Sequence, residues 1–99
     1  MKGVRFDPER NEIRTLRRRL PLTGARILEI GCGDGRLTRR IAGVARAVEA
    51  IDPDAEAIAR ARRLLPARHK EKVRFRVGSG ERLPFGGGSF PVAICAWSL

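Results

Sequence analysis

The sequence predicts an α/β fold built on a parallel sheet, and three observations carry that expectation. Apolar runs suited to strands, at residues 26–30, 45–51, 72–77 and 90–97, are separated by segments with helical spacing or by a long loop. The first run is apolar enough to be buried on both faces, as strands of a parallel sheet are. It ends in Gly31-Cys32-Gly33-Asp34-Gly35, a glycine turn that feeds an amphipathic helix start.

Each element has its own local reason. Asp7-Pro8 reads as an N-cap followed by proline at the first helical position, and Ile13, Leu16 and Leu20 recur at helical spacing until Pro21 stops them. Residues 1–23 are therefore expected to be a leading helix and a turn. A short helix over 36–42 follows the first strand, with Leu37 and Ile41 on one face. The second strand, 45–51, closes on Asp52. Asp54 is placed to cap the next helix, Glu56 suits the positive end of its dipole, and Ile58, Ala61 and Leu65 line its buried face. In the third strand Val73, Phe75 and Val77 alternate inward, and Gly78-Ser79-Gly80 closes it.

Parallel neighbours require crossovers, and right-handed crossovers set the strands in the order third, second, first, fourth (3-2-1-4) with helices on both faces. The glycine turn, Asp52 and Gly78 then meet at one carboxyl edge. Residues 90–97 come out as an outer strand with an unpaired edge. Such an edge predicts self-association or a need for a complementing chain.

A chain of 99 residues fits a single domain, 1–99, with one core. Its 42% hydrophobic and 32% charged content is that of a soluble protein, and no apolar run approaches the length of a membrane span. The opening stretch from Met1 to Asp7 has no signal-peptide core, so the cytoplasm is the expected compartment. The formal net charge of +10 raises the question of a polyanion partner. Yet 18 of the 21 basic residues are arginines scattered over every segment without interleaved aromatics. The charge therefore reads as solvated helix faces with non-specific affinity for nucleic acid, and neither a specific nucleic acid nor a membrane is expected as a partner. Cys32 and Cys95 lack metal or redox spacing, and His69, the single histidine, lies in a polar stretch. No metal is expected, and both thiols read as packing groups.

The chemistry concentrates at the glycine turn. Its spacing is G-x-G-x-G at Gly31, Gly33 and Gly35, whereas a nicotinamide dinucleotide fingerprint would place glycine where Arg36 stands. Asp52 lies 21 residues after Gly31 at the end of the second strand, where a carboxylate accepts two hydrogen bonds from a ribose diol. With Glu29 before the turn and Asp52 after the next strand, the pattern points to an adenosine-containing cofactor.

These residues resemble a known family. Leu28-Glu29-Ile30-Gly31-Cys32-Gly33-Asp34-Gly35 is similar to the first motif of class I S-adenosylmethionine-dependent methyltransferases, particularly the small-molecule group of the ubiquinone and menaquinone biosynthesis enzymes. Ala50-Ile51-Asp52-Pro53-Asp54 resembles the acidic end of their second strand. The stretch from Val77 to Phe85, followed by Ser89-Phe90, resembles their third-strand and loop signature. The resemblance spans residues 24–99. It implies that Glu29 sits beneath the methionine end of the cofactor, that Gly31 and Gly33 line its path, and that Asp52 holds the ribose. It further implies that Pro53 borders the adenine, that Ser79 and Gly80 edge it, and that Ala96 and Trp97 border the methionyl group. The cofactor's sulfonium and ammonium outweigh its carboxylate, so two acids suit it.

The function implied is methyl transfer to a small-molecule acceptor. No residue stands out as a general base, so catalysis would rest on positioning donor and acceptor. Three departures stand against the family pattern. Ser79 replaces the usual Asp, Pro91 replaces the Asp that usually follows Phe90, and the chain stops after the fourth of seven strands. The expectation is therefore the cofactor-binding half of a truncated class I fold. The alternative is a non-catalytic module that binds the cofactor, a partner chain or polyanions.

Overall fold

In the computed structural model, which describes residues 2–6, 22–79 and 92–96, five parallel strands form one sheet. They are β1 (Lys2–Phe6), β2 (Arg26–Ile30), β3 (Ala47–Asp52), β4 (Val73–Val77) and β5 (Val92–Ala96), in the spatial order β1-β5-β2-β3-β4. Helix α1 (Arg36–Ile41) joins β2 to β3, and α2 (Ala55–Leu64) with a 3-10 turn at Ala67–His69 joins β3 to β4. The four expected strands thus stand in the expected order. No described helix is long and apolar enough to cross a membrane.

Register explains which residues form the core. Ile27 lies across from Val48 and Val92, and Val48 from Val73, so these side chains share one face of the sheet. Leu37 and Ile41 of α1 and Ile58, Ala61 and Leu65 pack onto that face in a single cluster. Leu28 and Ala93, one position along, form a small cluster on the other face with Ile30. Helix α2 begins as its sequence requires, with the Asp54 carboxylate accepting the N–H groups of Glu56 at 2.9 Å and Ala57 at 3.3 Å. Both crossovers run over the same face. The chain then returns to the far side of β2 to make β5, which sets a topological switch point between β2 and β5.

The structure corrects the sequence reading at the fourth strand. Residues 90–97 were expected at an open edge, but β5 is flanked on both sides, by β2 and by β1. The β1 pairing is parallel and runs from Lys2 opposite Val92 to Phe6 opposite Ala96. With Val4 and Phe6 as its only large apolar positions, beside Gly3 and just before Asp7-Pro8, the segment gives too weak a strand signal to stand out in sequence. With β1 in place, the unpaired-edge argument for self-association through β5 falls away.

Val77 was expected to face inward and is instead 49% exposed. It is the last residue of β4, an outer strand, and lies beyond the Phe75 contact with the core. The second strand starts at Ala47 rather than residue 45, because the Ala45 N–H is still bonded to the Ile41 carbonyl at the end of α1, at 2.9 Å. The leading helix expected after Asp7, together with Gly80 and Trp97, lies outside the described residues.

Candidate functional site

All strands run the same way, so their carboxyl ends share one edge of the sheet. Ile30 is level with Ile51 and Cys95, and Asp52 is level with Val77, so Gly31, Asp52, Val77 and Ala96 form a row across the switch point. Pro53 and Ser79 stand just past the ends of β3 and β4, both exposed.

The glycine turn is held to that row by backbone groups. The N–H groups of Gly31 and Cys32 donate to the Ile51 carbonyl at 2.8 and 3.0 Å, and the Gly35 N–H donates to the Cys32 carbonyl at 3.0 Å. Gly33, at φ +56, turns its N–H onto Asp52 Oδ2 at 2.9 Å. Oδ1 of the same carboxylate accepts the Asp54 N–H at 2.8 Å, and the Asp52 carbonyl accepts the Gly78 N–H at 3.0 Å. Asp52 therefore ties together the turn, the α2 cap and the end of β4. Each carboxylate oxygen has lone-pair capacity beyond one bond, so a diol could still be received.

Glu29 is fully buried on the α1 side of β2. Its Oε1 accepts the Thr38 hydroxyl, while Oε2 is buried without a partner among the described residues. Burial pushes its pKa up to about 7, the Thr38 bond pulls it back, and the Asp52 charge adds to the rise. A buried carboxylate oxygen left unpaired costs about 1–3 kcal/mol, and more when charged, so a cationic group reaching Oε2 would relieve it. Thr38 was not singled out in the sequence. The available signal was a hydroxyl residue between Leu37 and Ile41 on the apolar side of a helix otherwise rich in arginine.

Cys32 is buried inside the turn, and burial together with the Glu29 and Asp52 charges pushes its thiol pKa up. The thiol stays protonated and serves as a packing group. Among the described residues no three His, Cys, Asp or Glu side chains are grouped to hold a metal ion.

A parallel sheet with a glycine turn after its central strand, an acid closing the neighbouring strand and both at the switch point defines the Rossmann-like class of nucleotide-binding folds. A protein-family model described as a methyltransferase domain matches residues 27–99, and the chain belongs to that family.

Solved structures agree. An S-adenosylmethionine-dependent methyltransferase from Mesorhizobium loti aligns at TM-score 0.71 with 28% identity, covering 83% of this chain and 38% of that one. One from Methanosarcina mazei aligns at 0.65 with 29% identity over 80% and 39%. A dimethyladenosine transferase from Plasmodium falciparum aligns at 0.65 with 26% identity over 74% and 26%. The chain thus spans less than half the length of each of these relatives. No curated protein matches it.

Proposed function

We propose that this chain binds S-adenosylmethionine at the carboxyl edge of β2 and β3 and forms the donor-binding part of an enzyme that methylates a small molecule. The observation that carries this reading is the buried, unpartnered Oε2 of Glu29 beside a glycine turn that is tied to Asp52. An acid beneath the turn suits the cofactor's ammonium, and an acid at the end of β3 suits its ribose. Gly31 and Gly33 themselves put no side chain in the way of a ligand lying against the turn. Nothing stands within 4 Å of where a Cβ on Gly33 would sit, so that position is open to a ligand.

The family resemblance extends the site to Pro53, Ser79 and Gly80 around the adenine and to Ala96 and Trp97 beside the methionyl group. The cofactor supplies an activated methyl group on a sulfonium. The chain's own contribution is to hold the donor at a fixed place and angle, which is where most of the rate of an in-line displacement is gained. The resemblance of the motifs at 29–35, 52–54 and 77–85 supports placing the acceptor chemistry with the ubiquinone-type small-molecule group.

Calorimetric titration with S-adenosylmethionine tests the reading directly. Binding is expected, and Asp52→Ala should weaken it by about 1–3 kcal/mol, since the ribose partners and the Gly33 N–H lose their acceptor together. A folded wild-type chain that gives no binding heat would overturn the proposal.

Ser79 offers the adenine amino group a neutral acceptor where a carboxylate is usual, and charge-assisted bonds are roughly twice as strong. Ser79→Asp is expected to tighten the cofactor several-fold in the same titration. Unchanged affinity would mean that the adenine is held elsewhere.

A further inference from the structure

Strand β4 is an outer strand of the sheet, and cations from α2, from β4 and from the connection between them border it. A groove of about 480 Å³ lies there, walled by Arg62 of α2, Lys70 after the 3-10 turn, and Arg74 and Arg76 of β4, with Leu65, Val73 and Phe75 beneath. Among the described residues lining it Glu49 is the sole acid, nearly buried and paired with Arg76 at 3.2 Å, so positive charge is in excess by three.

The backbone along this edge sharpens the selection. The Val48 N–H donates to the Lys72 carbonyl at 2.7 Å and the Gly78 N–H to the Asp52 carbonyl at 3.0 Å. In a parallel ladder the bonding side alternates, so residues 72, 74, 76 and 78 turn toward β3 while Val73, Phe75 and Val77 turn their N–H and C=O groups outward. Arg62 reaches across and donates to the Phe75 carbonyl at 3.0 Å. A peptide adding to this edge as a strand would need that carbonyl as an acceptor. With that carbonyl engaged, one of the three outward acceptors is taken from an added strand, and the cations along the edge suit an anionic partner.

We propose that this groove binds the phosphodiester backbone of a single-stranded nucleic acid without reading its sequence. The cations come from both sides of the edge, Arg62 from the α2 face and Arg74 and Arg76 from the opposite one, which suits a chain of phosphates laid along the edge better than a lone phosphate. Among the described residues no Asn or Gln lines it to read base edges, and its size suits a few nucleotides of one strand rather than a duplex. The affinity that composition alone would spread over the whole surface is thereby localised to one strand edge. The proposal stands on β4 and its neighbours and is independent of the cofactor reading.

Fluorescence anisotropy of a labelled oligouridylate, titrated with the 99-residue chain at several salt concentrations, tests it. Lys70 and Arg74 are both exposed, so their exchange should leave the fold intact. The double variant Lys70→Glu/Arg74→Glu is expected to bind about tenfold or more weakly at low salt and to lower the slope of log affinity against log salt by about 2. The matched variant Arg40→Glu/Arg46→Glu, equally exposed and outside the groove, should stay within about threefold of wild type, because distant exposed charges are screened. Equal weakening by the two pairs would overturn the proposal, as would absence of wild-type binding. So would an oligoglutamate peptide that competes as well as the nucleic acid does.

Discussion

Replacing Gly35 with alanine is expected to cost about 3 kcal/mol of stability, enough to lower the Tm of a domain of this size by on the order of 10–20 °C. Two physical effects add. The backbone at Gly35 has φ +84, a conformation that costs an L-residue about 1–2 kcal/mol. A Cβ there would also stand 3.2 Å from Ala61 Cβ and 3.2 Å from Phe75 Cζ, both in the core between α2 and β4. Pushing these apart is overpacking, at about 1–3 kcal/mol. Gly33→Ala separates the two effects, because its φ is +56 but nothing lies within 4 Å of its Cβ position. Urea unfolding of both variants should show the smaller loss at Gly33, about 1 kcal/mol. Equal losses would mean that the contact with Ala61 and Phe75 carries no weight. The consequence reaches the site, since a turn lifted off α2 also strains the bond from the Gly33 N–H to Asp52.

Stability is expected to fall by about 3 kcal/mol as pH rises from about 4.5 to about 7, through Glu29 alone. In the unfolded chain this carboxyl releases its proton near its ordinary value of 4.5, but in the folded chain burial holds the proton until about pH 7. Between those values the folded state keeps a proton that the unfolded state has lost, so raising the pH favours unfolding. Below 4.5 the contribution is fully present, and above 7 it is gone. Glu29→Gln keeps the shape and an acceptor for Thr38 without the ionisation. The stability difference between wild type and this variant should therefore change by about 3 kcal/mol between pH 4 and pH 8, wild type losing ground as pH rises. Parallel urea midpoints for the two proteins across that range would contradict it. If the cofactor binds as proposed, its ammonium favours ionised Glu29, and binding near pH 7 releases a proton that appears as a buffer-dependent heat.

Much of the site was legible because its signals are local. A glycine run after an apolar strand, an acid two residues before it and an acid at the end of the next strand are properties of short windows. Parallel-sheet geometry then brings such windows to one edge whatever the loops do. Asp54 as a cap and Ile58, Ala61 and Leu65 as a buried face were legible for the same reason. Thr38 was not, because a threonine inside a helix looks the same in sequence whether it faces water or, as here, a carboxylate nine positions earlier.

The sequence by itself determined the α/β class, the parallel order of the four expected strands, the glycine turn and the placement of Glu29 and Asp52 at its two sides. These follow from hydrophobic period, turn chemistry and the handedness of crossovers, all of which act over short stretches of chain. Tertiary structure alone decided that Lys2–Phe6 lies against Val92–Ala96, that Arg62 reaches the Phe75 carbonyl, and that one oxygen of Glu29 is buried with nothing to bond among the described residues. Each of these depends on groups far apart in sequence meeting in space. Which segment pairs with which across 90 positions, as Lys2 does with Val92, is not written in either segment, because the pairing energy comes from backbone hydrogen bonds that every residue type but proline can make.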